Sequence, residues 1–193
     1  MSDIEYYITK AKLRQLGRDN NMKSNNSKKS RQVVYGAVFI ALVYVCTAFV
    51  NIRLPIAANG GLIHLGNVPL FIIAITFGKK YGALAGGVGM ALFDILSSWT
   101  IWAPFTLVIV GLMGFTVGAI TKKHNSFPFY LIAIIAAGAI KVGGYYIAEG
   151  IIYGNWITPV ASIPGNLLQI GVAAVIVLPF VRRIRKAASR IDI

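Results

Sequence analysis

The sequence predicts an all-α membrane protein of six transmembrane helices with both termini in the cytoplasm. Three observations carry that reading. Apolar residues gather into long runs, Lys and Arg fill every second gap between them, and a mean hydropathy of +0.69 exceeds that of an ordinary soluble domain. The runs are Val33–Val50, Leu62–Phe77, Tyr81–Leu96, Phe105–Ile120, Phe129–Ile152 and Ile157–Val181. About 20 apolar residues cross about 30 Å of hydrocarbon as a helix, and the second run is short for this. Lipid cannot satisfy backbone polar groups, so spans must be helices or a closed barrel. Runs of this length without two-residue alternation are helices.

Residues 1–32 are rich in Asn, Ser and Lys and read as mostly disordered. Met22-Lys23-Ser24-Asn25 would itself make a short basic leader, so translation from Met22 is an expectation that N-terminal mass analysis tests. The first run carries Ala37 and Ala41, small residues four apart on one face and suited to packing. Its single Cys46 excludes an internal disulfide. The gap Asn51–Gly61 is the longest outer connection, able to serve as a lid or a plain connector. Gly78-Lys79-Lys80 joins the second and third runs as a tight hairpin. Gly82, Gly86, Gly87 and Gly89 let the third helix approach its neighbours closely. Residues 33–186 thus form one six-helix membrane domain, with 187–193 a cytoplasmic tail.

Basic residues flank the cytoplasmic ends of spans. Lys10 to Arg31, Lys79–Lys80, Lys122–Lys123 and Arg182 to Arg190 mark that side, whereas the outer gaps hold only Arg53. The net charge of +13 therefore suits anionic headgroups rather than nucleic acid.

The orientation also places the polar residues that a membrane span ordinarily excludes. Ionisable groups there cost about 2.5–3.5 kcal/mol each on insertion scales and mark functional candidates. Asp94, Glu149, His64, Asn67, Asn166 and Gln169 all fall in the outer half, with Lys141 near the midplane. Trp99, Trp102, Thr106 and Tyr145 adjoin them. Convergent polar groups with aromatic walls suit a small planar ligand. Each residue also has an ordinary explanation. The tryptophans, Trp156 above all, fit an interfacial belt. Glu149 is close enough to water to be merely solvated, Lys141 serves equally to neutralise Asp94, and His64 fits an ordinary loop. No phosphate-binding P-loop, H-E-x-x-H or G-x-S-x-G motif is present. Two His and one Cys make no convincing metal site. Neither catalysis nor a cofactor is expected.

Several segments resemble the substrate-binding S-components of energy-coupling factor (ECF) vitamin transporters, over about Val33 to Lys186. Gly60-Gly61-Leu62-Ile63-His64-Leu65-Gly66-Asn67 is similar to that family's lid-to-helix junction, and Phe77 to Gly87 to its second-to-third helix turn. Asp94-Ile95-Leu96-Ser97-Ser98 with Trp102-Ala103-Pro104-Phe105-Thr106 resembles the branch assigned to hydroxymethylpyrimidine and pyridoxine. Ile163 to Gln169 resembles a ligand-touching motif of the riboflavin relatives. Val110 and Gln169 stand where relatives often carry Lys, which favours a neutral or weakly basic heterocycle.

The resemblance implies a non-enzymatic binding subunit in a bacterial plasma membrane. It would dock through Ala37 and Ala41 on a coupling transmembrane subunit that works with two ATPase subunits. The expected ligand is hydroxymethylpyrimidine, with pyridoxine or another B-vitamin as the alternative. Hydrogen bonds would come from Asp94, Asn67, His64, Asn166 and Gln169, and stacking from Trp99, Trp102 or Tyr145. A stand-alone facilitator or channel and a small intramembrane enzyme are the competing classes.

Overall fold

The computed structural model describes residues 3–53 and 62–190, without the side chains of 3–14, 16–21, 23, 24 and 53. Seven helices and a two-stranded hairpin are formed among them: α1 (Asp3–Phe49), β1 (Asn51–Arg53), β2 (Leu62–His64), α2 (Asn67–Phe77), α3 (Lys79–Leu96), α4 (Ala103–Lys123), α5 (Phe127–Tyr153), α6 (Ile163–Val177) and α7 (Val181–Ala188). Short 3-10 turns, Thr100–Trp102 and Thr158–Ser162, lead into α4 and α6. The chain divides into two units, 1–35 and 36–192.

In the first unit the backbone is helical from Asp3. Composition alone suggests disorder there, yet the segment holds no proline, and its Ala, Leu, Arg, Lys and Gln are good helix formers. Asn25–Phe49, which begins in the first unit, and Thr100–Lys123, Phe127–Tyr153 and Thr158–Val177 in the second are the stretches long and apolar enough to cross a membrane among the described residues. With Lys79, Lys80 and Asp94 among its 18 residues, α3 is shorter and more polar.

The second apolar run does not fold as one helix. Leu62–His64 pairs antiparallel with Asn51–Arg53, in the register Asn51↔His64, Ile52↔Ile63, Arg53↔Leu62. Helix α2 begins only at Asn67. The lid expected over Asn51–Gly61 is thus a strand at its start, and 54–61 lie outside the described residues. Helix α2 is apolar on every side and has no exposed residue, as an 11-residue helix inside a bundle must be.

Gly78 turns the chain from α2 into α3 at φ +88°, a conformation that only glycine adopts without strain. From there α3 packs along α4 more extensively than any other pair of elements. The seam is made of glycine on both sides. A Cβ on Gly82 would stand 2.7 Å from the Gly114 carbonyl oxygen, and one on Gly87 would stand 2.8 Å from that of Leu107. Gly89 admits α1 in the same way, with Ile40 O at 2.9 Å from the position a Cβ would take. The glycines of α3 are therefore packing residues, as their spacing suggests. Two glycines of α4, Gly114 and Gly118, are equally required, because a Cβ on either would run into the backbone of α3 or of the turn ahead of it.

Helix α5 ends at Gly154, which is left-handed at φ +61°. The sixth run is likewise subdivided. Its first residues form the 3-10 turn, α6 stops at Val177, and the basic stretch after it becomes α7 rather than an irregular tail.

Candidate functional site

Helix lengths fix two ends of the second unit. The polar end holds Asp94 on α3, Thr106 on α4 and Asn166 on α6. The basic end holds Lys79, Lys122 and Arg185. Along α3, Asp94 lies about 22 Å from Lys79, at 1.5 Å per residue.

A cavity of about 20 Å³ sits at the polar end, lined by Thr47, Leu62, His64, Met90, Phe93, Asp94, Trp99, Thr106 and Tyr145. That is room for about one water molecule. Its walls come from α1, β2, α3, the 97–102 connection, α4 and α5. Asp94 is buried, and its Oδ2 has no hydrogen-bond partner. The Thr106 hydroxyl and the Lys141 charge both act on this carboxyl. Thr106 and Tyr145 share a hydrogen bond of 3.0 Å. Trp102 packs on Tyr145 with ring centroids 6.3 Å apart, closing the wall behind it. Both are buried, so Trp102 packs inside the protein rather than in an interfacial belt. Trp99 is half-buried and Trp156 is exposed.

Lys141 is fully buried yet does not sit within hydrogen-bonding distance of Asp94. Its Nζ donates to Gln169 Oε1 at 3.1 Å and stands 5.6 Å from the Tyr145 ring. Gln169 in turn donates Nε2 to the Leu62 carbonyl at 2.8 Å. One amide thereby joins α5, α6 and β2, and it satisfies a strand carbonyl that the β1 pairing leaves over. This fits the sequence contrast noted above. A lysine at 169 could not accept from Lys141.

His64 lies on β2, outside the helical spans. Its Nδ1 accepts from the Gly66 amide at 3.2 Å. Gly66 allows this turn because a side chain there would collide with Thr47 Oγ1, and its Cβ would stand 2.9 Å from Met90 Cε.

Other expected residues stand outside the cavity wall. Asn67 and Asn166 are buried; neither amide oxygen of the two has a hydrogen-bond partner, nor does Asn67 Nδ2. Glu149 is buried rather than solvated and accepts from Ser162 Oγ at 2.8 Å, tying α5 to the turn before α6. Beside it Tyr146 donates to the Trp156 carbonyl at 2.7 Å. Sequence reasoning missed Thr47, whose hydroxyl is buried and donates to Val43 O at 2.8 Å. Its signal was a hydroxyl near the outer end of the first run, at the depth of Asp94. Ala37 and Ala41 are exposed on α1 together with Val38, Leu42 and Val45, opposite the buried Phe39, Val43 and Thr47.

Comparison with known proteins supplies a family and two relatives. A family model described as "ECF-type riboflavin transporter, S component" matches residues 27–186. The chain is 36% identical over 103 residues to an uncharacterised protein in the gap 3′ region of Pyrococcus woesei, covering 53% of this chain and 69% of the relative. It is 28% identical over 155 residues to the "Thiamine precursor transporter HmpT" of Lactococcus lactis subsp. cremoris (strain MG1363), covering 80% of this chain and 88% of the relative.

Proposed function

This chain belongs to the family of ECF-type S components, and from that membership we propose that it captures hydroxymethylpyrimidine, the thiamine precursor, for uptake driven by partner subunits. The substrate reading rests on the lactococcal relative, whose name states thiamine precursor transport. One observation within the chain carries it further. The buried Asp94 carboxyl keeps an unpartnered oxygen beside Thr106, His64 and Tyr145, inside an aromatic wall. A carboxylate there suits a protonated aminopyrimidine, whose amino group and ring N–H offer two donors side by side. The unpartnered Asn67 amide and Asn166 amide oxygen stand as further hydrogen-bonding groups for the same ligand, and Trp99, Trp102 and Tyr145 as its stacking surfaces. Lys141 and Gln169 act by holding β2 and Tyr145 in place, and Glu149 by pinning the turn ahead of α6. The cavity is far smaller than a heterocycle, so binding must move a wall; the hairpin, attached to α6 through one amide, is the wall that moves.

In this reading six helices span a bacterial plasma membrane, with α2 and β2 together making the second crossing and both termini in the cytoplasm. The polar end then faces outward. Ala37 and Ala41 dock on a coupling transmembrane subunit served by two ATPases, and the exposed small and apolar stripe around them supports this.

Titration calorimetry on the purified full chain with hydroxymethylpyrimidine, pyridoxine and riboflavin tests the substrate. Tight binding of hydroxymethylpyrimidine and weak binding of riboflavin are expected; the reverse order overturns the assignment. Ala37→Trp tests the docking face. It should abolish uptake and complex assembly while ligand binding stays intact, and normal uptake would rule that face out.

A further inference from the structure

The basic end of unit 36–192 carries two open cavities that the ligand site does not use. One, of about 320 Å³, lies where the Gly78–Tyr81 turn meets Gly118, Lys122 and Arg185. The other, of about 450 Å³, is lined by Asn125, Arg182, Arg185, Lys186 and Ser189. Among the described residues no Asp or Glu lines either cavity. Six cations thus border adjoining hollows without a described counter-charge, and Arg185 belongs to both.

Arg185 is also built in rather than free. Its Nη1 donates to the Thr121 carbonyl at 2.8 Å and to the Tyr130 hydroxyl at 3.4 Å. Tyr130 is fully buried and donates to Asn125. A guanidinium held through one nitrogen, with its side-chain rotation already restricted, presents its remaining N–H groups in a fixed fork that matches a phosphate. The lysines around it are exposed point charges that add attraction without geometry. Apolar surface lies beside these charges. Phe115 is 42% exposed, and its ring sits 4.8 Å from Lys79 Nζ. Phe180, just ahead of α7, is 54% exposed. A fixed cation among mobile ones, bordered by exposed aromatic rings at helix ends, has the layered chemistry of a lipid headgroup above its acyl chains.

We propose that these two cavities form one binding site for an anionic phospholipid, its headgroup phosphate seated between Arg185 and the lysines at 79, 80 and 122. A soluble phosphate shares the headgroup's chemistry, so the test separates the two. The full chain, purified in mixed micelles of phosphatidylglycerol and phosphatidylcholine, is analysed by native mass spectrometry for retained lipid. Phosphatidylglycerol should be kept about tenfold in excess of phosphatidylcholine, equivalent to about 1.4 kcal/mol. The double variant Lys80→Gln/Lys122→Gln should lose that preference. The variant Lys123→Gln/Arg183→Gln, equal in charge but outside both cavities, should keep it. All four side chains are exposed, so folding is not at stake. Retention that falls alike in both variants, or an absent preference in the wild type, overturns the site. Inorganic phosphate that raises the thermal midpoint of wild type but not of Lys80→Gln/Lys122→Gln, without any lipid preference, assigns the pocket to a soluble ion and overturns the lipid reading.

Discussion

The α3–α4 seam and the polar end of the bundle solve opposite problems. Along the seam, backbone meets backbone through paired glycines, and nothing polar in the side chains intervenes. At the polar end, a carboxyl beside a space with room for about one water molecule and two amides outside its wall are buried with atoms left unpartnered. Burying an unpaired polar group costs about 1–3 kcal/mol. The seam supplies the dispersion contacts that keep the bundle folded despite that cost, because close helix approach is what stabilises helices in lipid. Stability and recognition are thus assigned to different stretches of the same two helices: α3 is glycine along the seam and acid near its end.

That division is breakable by experiment. The largest effect is expected at the seam. In Gly114→Val the new side chain would meet the Gly82 carbonyl, backbone that cannot step aside. A loss of about 3 kcal/mol is expected, read as a thermal midpoint about 10 °C lower in detergent. An unchanged midpoint would mean that the helices separate freely and the seam bears no load.

Asp94→Asn should do the reverse. It removes the charge that the proposed ligand pairs with, so hydroxymethylpyrimidine affinity should fall about 100-fold, or about 2.7 kcal/mol. The midpoint should hold or rise, because no uncompensated carboxyl remains. Calorimetry and a melting curve on one preparation decide it, and a variant that loses stability but keeps affinity would place Asp94 with the seam.

Gln169→Leu probes the join between the regions. It leaves Lys141 Nζ and the Leu62 carbonyl without their partner, for about 2 kcal/mol. Both melting and binding should weaken together. A change in only one of them would show that the amide serves a single region.

How far the sequence foretold this contrast varies with the range of each interaction. Helices α4 and α5 match their apolar runs within two or three residues at each end, because length and hydropathy are local properties. That Asp94, His64 and Tyr145 line one cavity was legible from their similar distance along the apolar runs. Depth does not fix direction around a helix. So Thr47 went unseen, and Lys141 was weighed as a partner of Asp94 when it bonds Gln169. The β1–β2 hairpin was hidden inside an apolar run, because three-residue strands depend on a partner rather than on their own pattern. The glycines of α4 were passed over for a similar reason: a close approach needs two surfaces, and only one had been read.

Helix α2 has a consequence of pure length. Its 11 residues rise about 16 Å, against a hydrocarbon layer about 30 Å thick. None of its residues is exposed, so it is a pillar that stops halfway. The headroom above it, roughly 14 Å by subtraction, is occupied by β2 and the cavity. The depth at which a ligand would rest is therefore set by the height of the helix whose first residue, Asn67, is one of its proposed partners. One further turn on α2 would raise the floor by about 5 Å and leave no chamber at all.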